Sequence, residues 1–256
     1  MCYNALDRHM PRLKDRVCYH WEGNAEDEDK DVKYGEMYDV VLRLAAVLKH
    51  RYGVRKGDVV TLYLPMVPFG AQAMLAAARL GAIVSVIFAG FSAQAVANRL
   101  LDAKSKLIIT VEGFFRGPKP LPLKKITDEA LALCAAEGHN VRCIVCERHQ
   151  RESVPMTEGR DAWFDDVAAT LTASEAADRP IVWTEAEDPL FLLYTSGSTG
   201  KPKAIVHTVG GYMVYAGFTF KHGFGNRKDG TLVDGRNFLR SYRECRILIS
   251  VGFLLL

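Results

Sequence analysis

The stretch Thr195–Lys203 combines the residue types that proteins use to hold phosphate groups. It contains four Ser or Thr hydroxyls, two glycines and two lysines, and no side chain large enough to build a core. Glycine lets backbone N–H groups approach an anion, hydroxyls add donors or metal ligands, and lysine adds positive charge. The apolar runs Leu190–Tyr194 and Ala204–Thr208 flank it and read as strands. The stretch therefore predicts a polyphosphate site, with Mg²⁺ as the natural counter-ion.

A Walker A loop and a plain Gly/Ser hairpin are the alternatives for this stretch. Walker A requires four residues between its first glycine and a Gly-Lys pair, which Ser or Thr then follows. Here only two residues separate Gly197 from Gly200, and Pro202 follows Lys201. The spacing excludes Walker A. The plain hairpin stays open on spacing alone.

Length and composition describe an ordinary soluble globular protein. The 256 residues suffice for one large or two small domains, and 49% are hydrophobic and 25% charged. A formal net charge of +3, without a basic block interleaved with aromatics, does not favour a nucleic-acid partner. The final run Ile247–Leu256 is apolar but too short to span a bilayer. We expect small-molecule ligands, neither nucleic acid nor a membrane, and leave protein partners open.

Six cysteines are scattered through a sequence in which no signal peptide is evident. This usage favours reduced thiols and a cytoplasmic location. Cys143 and Cys146 have CxxC spacing, but they lie in an apolar run that reads as a strand. Residues three apart on a strand point to opposite faces, so buried thiols are favoured over a metal or redox pair.

The pattern of apolar residues predicts an α/β fold. We expect a doubly wound, mostly parallel sheet with helices on both faces, because short apolar runs alternate with amphipathic segments. The acidic run Glu26–Asp31 is expected to be a solvated loop, and Glu147–Ala162 a surface excursion before a short helix capped by Asp161. The predicted strands are Val17–Trp21, Val59–Leu64, Ile83–Ile87, Leu107–Val111, Val141–Val145, Leu190–Tyr194 and Ala204–Thr208. The predicted helices are Tyr34–Arg51, Phe69–Leu80, Ser92–Asp102, Thr127–Glu137 and Trp163–Leu171.

Several stretches resemble one enzyme family. The string Tyr194–Lys203 is similar to the phosphate-binding signature of the adenylate-forming enzymes, which argues against the plain hairpin. Phe88–Ser92 is the most discriminating of the other stretches and resembles the short-chain acyl-CoA branch, specifically AMP-forming acetyl-CoA synthetases. The remaining matching stretches are Leu6–His9, Trp21–Gly23, Leu64–Met66, Pro122–Lys125, Glu158–Asp161 and Glu187–Leu190.

This resemblance implies an acetate–CoA ligase reaction. ATP and acetate would give acetyl-adenylate and pyrophosphate, and the CoA thiol would then give acetyl-CoA and AMP. The resemblance assigns the β- and γ-phosphates of ATP to Thr195, Ser196, Gly197, Ser198, Thr199, Gly200 and Lys201. Lys203 belongs to the same motif, but it could instead seat the loop on the sheet. Thr195 is the expected ligand of Mg²⁺.

A second implied site lies at Arg116, Gly117, Pro118 and Lys119. In acetyl-CoA synthetases the matching segment, with two basic residues three apart, contacts the nucleotide end of CoA. Arg116 offers a planar fork for a phosphate, Lys119 offers a point charge, and Pro118 stiffens the spacer. A solvated basic loop is the alternative. No catalytic residue is assigned within the chain.

The resemblance does not extend over the whole sequence. We expect residues 1–222 to form part of the family's N-terminal domain, 223–256 to be a divergent tail, and the C-terminal domain to be absent. Ala204 stands where the family usually has glycine. Because the C-terminal domain and the segments that bind adenine, ribose and acetate in this family are not found, residues 1–256 alone are expected to be inactive. A non-catalytic product that retains nucleotide or CoA binding, and a ligase for propionate or another short acid, are the alternatives.

Overall fold

A computed structural model describes residues 1–24, 28–149, 151, 154–195 and 202–223. Strands lie at Val17–Glu22 (β1), Asp29–Lys33 (β2), Val59–Leu64 (β3), Ile83–Phe88 (β4), Leu107–Val111 (β5), Phe114–Arg116 (β6), Lys119–Leu121 (β7), Arg142–Cys146 (β8), Asp161–Trp163 (β9), Pro189–Thr195 (β10) and Lys203–Thr208 (β11). Helices lie at Cys2–Ala5 (α1), Tyr34–His50 (α2), Pro68–Arg79 (α3), Ala93–Asp102 (α4), Leu123–Ala136 (α5), Phe164–Ala169 (α6), Ala173–Ala176 (α7) and Val209–Gly223 (α8), with a 3-10 turn at Asp7–His9.

A seven-stranded sheet is the centre of the molecule. Its strand order is β11-β10-β4-β3-β5-β8-β9. Neighbouring strands run parallel except β10 and β11, which pair antiparallel. Two antiparallel hairpins, β1–β2 and β6–β7, stand apart from it. The mostly parallel α/β architecture predicted from the sequence is confirmed.

Helices cover both faces of the sheet because its strands are apolar on both sides. Ile109 and Ile144 share one core with buried residues of α2 and α3. Ile108 and Cys143 share the other core with buried residues of α4 and α5. Alternate residues of one strand thus serve opposite layers, as the two-residue repeat of a strand requires.

Most predicted elements are found within a few residues of their expected limits. The Ser92 N-cap is present, since its Oγ accepts from the Ala95 backbone N–H at 3.3 Å. Helix α5 begins at Leu123, four residues before the predicted start, and both Leu123 and Lys124 are buried. Burial of that first turn against the sheet extends the helix beyond the periodic segment.

Two sequence predictions are wrong. The acidic run is not all loop, because Asp29–Lys33 pairs with β1, with Val32 buried and its charged neighbours exposed. The excursion Glu147–Ala162 contains the start of β9, and Asp161 is a strand residue rather than a helix cap. A three-residue strand is too short to show a periodic pattern, and a strand with a single apolar side chain has no alternation to detect.

A helix that spans a bilayer needs about 20 predominantly apolar residues. Within the ranges given above, no helix is long and apolar enough to cross a membrane.

Candidate substrate site

Parallel pairing brings the ends of β3, β4, β5, β8 and β10 to one edge of the sheet. In open α/β sheets, ligands bind in the crevice outside the carboxyl ends of the strands. This edge carries Thr195 at the end of β10 and leads from β5 into the β6–β7 hairpin. The topology therefore places both sequence-predicted sites at the same edge.

The glycine loop, Thr195–Lys203, is framed by the antiparallel pair β10–β11. Thr195 and Lys203 are direct cross-strand partners, so the loop begins and ends at adjacent positions. Both residues are exposed, and the Lys203 ammonium has no ion-pair or hydrogen-bond partner among the residues the structure describes. The six other predicted phosphate ligands, Ser196, Gly197, Ser198, Thr199, Gly200 and Lys201, lie outside the described residues.

The second predicted site is a β-hairpin with a two-residue turn, Phe114–Leu121, called here the basic hairpin. Gly117 has φ of +57° at the first central position, which is the conformation that glycine supplies in a type II′ turn. Pro118 follows it. Arg116 and Lys119 are cross-strand partners, and directly opposite residues share one face of a hairpin. The spacing of three seen in the sequence is therefore a pair of adjacent positive side chains.

Charge pairing in the basic hairpin is unusual. Like charges directly opposite each other are destabilising in a strand pair. Within the described part of the chain, neither Arg116 nor Lys119 forms an ion pair with a carboxylate, and both residues are exposed. An anion between them would offset the repulsion. The hairpin thus has the charge and geometry of a phosphate site.

Arg116 also connects the hairpin to the turn Phe88–Phe91, called here the 88–91 turn. Its Nη2 donates to the Ala89 carbonyl oxygen at 3.1 Å. Its guanidinium lies against Gly90, where a Cβ would come 3.3 Å from Nη2 and where φ is +93°. The positive φ favours glycine at this position, and the absence of a side chain leaves room for the Arg116 guanidinium.

A buried tyrosine supports the 88–91 turn from within the sheet. The Tyr63 hydroxyl donates to the Phe91 carbonyl oxygen at 2.8 Å and accepts from the Gly90 N–H at 3.3 Å. Burial raises the pKa of Tyr63, so the hydroxyl keeps its proton. Phe88 and Phe91 of this turn meet edge to face, with ring centroids 6.2 Å apart, and Phe88 is half exposed.

The base of the basic hairpin is fixed by residues from other elements. The Asn24 side chain donates to the Phe115 carbonyl oxygen, and the Phe115 and His149 rings are 5.8 Å apart. The Glu112 carboxylate, buried at the end of β5, accepts from the backbone N–H groups of Arg148 and His149. The backbone around the exposed Arg116 and Lys119 is therefore held in place.

The end of β10 packs against helix α4. The Tyr194 hydroxyl donates to Asp102 Oδ2 at 2.6 Å. The Arg99 guanidinium carbon lies 5.3 Å from the Tyr194 ring centroid and 4.8 Å from that of Phe91. Burial and the adjacent Asp102 raise the pKa of Tyr194. Sequence reasoning identified neither Arg99 nor Asp102.

The sequence analysis also missed a partly buried cluster of ion pairs, called here the Lys124 cluster. It consists of Lys124, Asp128, Arg160 and Asp161. Lys124 Nζ contacts Asp128 Oδ1 at 2.7 Å and Asp161 Oδ2 at 2.8 Å, and the side chains of Lys124 and Asp161 are fully buried. Arg160 Nε donates to Asp161 Oδ1 at 2.6 Å. The cluster joins two matching stretches, Pro122–Lys125 and Glu158–Asp161, and locks α5 to β9.

A protein site for a metal ion brings together several His, Cys, Asp or Glu side chains. Among the described ranges, no three His, Cys, Asp or Glu side chains come together to hold a metal ion. Cys143 is fully buried and Cys146 is half-buried, and burial raises the pKa of Cys146 to about 12. An exposed hydroxyl such as that of Thr195 is a donor that suits Mg²⁺, which keeps waters and takes its other ligands from phosphates.

Comparison with known proteins decides the family. The chain matches the family of AMP-binding enzymes over residues 6–234. It belongs to that family. Among curated relatives, the acetyl-coenzyme A synthetase of Rhizobium rhizogenes is 48% identical over 222 residues, which cover 87% of this chain and 33% of the relative. The acetyl-coenzyme A synthetase of Agrobacterium fabrum is 46% identical over 228 residues, covering 89% and 34%.

The match to these AMP-binding enzymes is strong in sequence and partial in length. A third acetyl-coenzyme A synthetase, from Parvibaculum lavamentivorans, is 47% identical over 221 residues, covering 86% of this chain and 33% of the relative. The chain thus spans about a third of the length of the curated relatives it matches. The resemblance inferred from the sequence motifs is confirmed.

Proposed function

We propose that this chain carries the ATP-phosphate and CoA-nucleotide sites of an AMP-forming acetate–CoA ligase. The similarity to acetyl-coenzyme A synthetases over almost the whole chain supports the reaction class. The observation that carries the assignment of sites is their common position at the carboxyl edge of the parallel sheet. One site is framed by Thr195 and Lys203, and the other presents Arg116 and Lys119.

In this proposal, the glycine loop binds the leaving group of the first half-reaction. Carboxylate attack on the α-phosphate expels pyrophosphate, and fixed N–H groups and lysine side chains stabilise the charge that develops. Lys203, exposed and opposite Thr195, would place its ammonium at the mouth of the loop. Mg²⁺, held by the Thr195 hydroxyl and phosphate oxygens, would supply further charge neutralisation.

The basic hairpin would bind a phosphate at the nucleotide end of CoA. Arg116 donates one N–H to Ala89, which orients its planar fork and leaves other donors for a phosphate. Lys119 would add a second cation from the opposite strand. Because the 88–91 turn and Glu112 fix the surrounding backbone, little ordering is needed when the ligand binds.

The polypeptide of residues 1–256 covers a third of the relatives' length, so we expect little or no acetyl-CoA formation from it alone. Positioning of both reactants contributes several kcal/mol to such a reaction, about 7–11 kcal/mol in favourable cases. Purified chain is incubated with ATP, Mg²⁺, acetate and CoA, and AMP and acetyl-CoA are measured. Turnover that a Lys201→Ala, Lys203→Ala variant abolishes would contradict this expectation of inactivity and support the ligase assignment.

Hydrogen exchange tests the phosphate site without requiring turnover. We expect Mg-ATP to slow amide exchange between Thr195 and Lys203 in the wild-type chain and to have much less effect in the Lys201→Ala, Lys203→Ala variant. Lys125→Ala, an exposed lysine at the start of α5, is the matched control. Equal protection in all three proteins would contradict the assignment of the glycine loop.

A further inference from the structure

Arg99 occupies an unusual position between the two candidate sites. Its side chain extends from α4 and the residue is 8% exposed. Its guanidinium carbon is 4.8 Å from the Phe91 ring centroid and 5.3 Å from the Tyr194 ring centroid. Both distances lie within the range of a cation–π contact. Phe91 belongs to the 88–91 turn, and Tyr194 directly precedes the glycine loop.

A purely structural role would not require a cation at this position. Arg99 Nη1 donates to the Ala95 carbonyl oxygen at 2.7 Å, within its own helix. In the part of the chain that the structure describes, no carboxylate forms an ion pair with it. Removing a guanidinium from water without a paired carboxylate is costly, and an apolar side chain of similar length would fill the space more cheaply.

The neighbouring contacts make a continuous path from one site to the other. On one side, Tyr194 is held by both Arg99 and Asp102, which lie three residues apart on α4. On the other side, Arg99 contacts Phe91, whose turn receives the hydrogen bond of Arg116 through the Ala89 carbonyl oxygen. Each link is a packed ring or a hydrogen bond between described residues.

We propose that Arg99 is a positioning residue that couples the end of β10, Tyr194–Thr195, to the 88–91 turn by holding Tyr194 and Phe91 in one stack. The inference rests on the proposed function for the identity of the two ligands, but the coupling itself is a property of the free chain. Occupancy of the glycine loop would be transmitted through Tyr194, Arg99 and Phe91 to the backbone that Arg116 contacts. The first ligand would thereby order the site of the second.

The test replaces Arg99 with Met, which has a similar helix propensity and length but no charge. In ligand-free chain we expect Arg99→Met to accelerate amide exchange about fivefold both in the 88–91 turn and at Tyr194–Thr195, as loss of a contact worth about 1 kcal/mol predicts. Arg142→Met is the matched control, because Arg142 lies over the Tyr52 ring at 4.5 Å on a distant part of the sheet. Arg142→Met should leave both segments unchanged.

The effect of a substitution in one segment on amide exchange in the other distinguishes coupling from a local packing defect at Arg99. We expect Tyr194→Leu to accelerate exchange in the 88–91 turn and Phe91→Leu to accelerate exchange at Tyr194–Thr195. In an Arg99→Met background neither distant effect should remain. Arg99→Lys keeps the charge but not the planar guanidinium, so part of the distant acceleration of exchange should remain in that background. Arg99→Lys also replaces Arg99→Met in this test if Arg99→Met does not fold. Acceleration at only one of the two segments, or distant effects that persist without Arg99, would overturn the proposal.

A second arm adds Mg-ATP to the same samples. In the wild-type chain, we expect Mg-ATP to slow exchange at Thr195 and also in the 88–91 turn, with only the slowing in the turn lost in Arg99→Met. Slowing of the turn that persists in Arg99→Met would overturn the coupling. If Mg-ATP changes nothing in the wild-type chain, the proposed function of the glycine loop fails, while the ligand-free arm still decides whether Arg99 couples the two segments.

Discussion

The basic hairpin and the Lys124 cluster use the same kinds of cation in opposite ways. In the cluster, Lys124 is fully buried and its ammonium contacts two carboxylates. In the hairpin, Arg116 and Lys119 are exposed, face each other across the strand pair, and have no carboxylate partner among the described residues. In this chain, charge pairing, rather than the presence of basic residues, distinguishes the structural cluster from the candidate phosphate site.

The two regions also differ in how much a substitution should change the free energy of unfolding. Breaking a buried ion pair leaves an uncompensated charge in the interior, at a cost of about 3–5 kcal/mol. Removing one of two exposed like charges changes stability by no more than about 0.5 kcal/mol. Substitutions in the cluster should therefore affect folding, and substitution of Lys119 in the hairpin should affect ligand binding with little effect on folding.

Lys124→Met gives the largest expected effect on stability. It leaves Asp161 buried without its ammonium partner, although Arg160 still contacts the carboxylate. We expect a loss of about 3 kcal/mol in the free energy of unfolding, measured by urea denaturation. Lys125→Met, which removes an exposed neighbour, should cost less than about 0.5 kcal/mol. Equal losses in the two variants would show that the cluster is not a structural centre.

The Lys124 cluster also predicts a pH dependence. Burial acts to raise the pKa of Asp161, but hydrogen bonds from Arg160 and Lys124 outweigh it and hold the pKa below its usual value. A pKa lower in the folded than in the unfolded state stabilises the protein above the unfolded pKa, about 3.9, and this contribution is lost as the pH falls through the folded pKa.

The wild-type chain should therefore exceed Asp161→Asn in unfolding free energy by a constant amount between about pH 5 and 7, and the difference should shrink below about pH 4. Urea denaturation of both proteins over this range measures it. A difference that does not depend on pH would mean that ionised Asp161 contributes nothing to the stability of the cluster.

Lys119→Ala should have the smallest effect on stability. It removes one of two opposed positive charges and no hydrogen bond between described residues. The melting temperature is expected to stay within about 2 °C of the wild-type value, because the change in unfolding free energy is at most about 0.5 kcal/mol. A loss of stability as large as that of Lys124→Met would show that Lys119 contributes to folding. It would contradict the difference drawn between the basic hairpin and the Lys124 cluster.

The sequence predicted the parallel sheet because its strands, such as Leu107–Val111, are apolar on both faces and alternate with amphipathic helices. It also indicated which stretches matter, but not which of them touch. The Trp21 indole donates to the Met66 carbonyl oxygen at 2.8 Å, and Lys124 meets Asp161. Each contact joins two of the stretches that carried the resemblance, and such contacts depend on tertiary packing that no spacing rule encodes.

The sequence predicted some polar residues near the candidate sites and missed others, because their contacts also depend on tertiary packing. Arg116 and Lys119 were found through their motif, whereas their placement on one face follows from the two-residue turn at Gly117. Arg99 gave no signal, because a single arginine in an amphipathic helix normally lies on the solvated face. Its burial results from aromatic rings contributed by two other segments, Phe91 and Tyr194.

The central claim, that the unpaired cations of the basic hairpin bind a phosphate of CoA, is tested by calorimetric titration of residues 1–256 with CoA and with pantetheine, which lacks the nucleotide end. We expect CoA to bind with an affinity that falls as salt rises, and pantetheine to bind at least about tenfold more weakly, as the loss of about 1.4 kcal/mol from a charge-assisted contact predicts. An Arg116→Ala, Lys119→Ala variant should lose this preference, while its stability should fall only by the loss of the Arg116–Ala89 hydrogen bond, about 1 kcal/mol. Equal affinities for the two ligands, or a preference for CoA that survives in the double variant, would contradict the account.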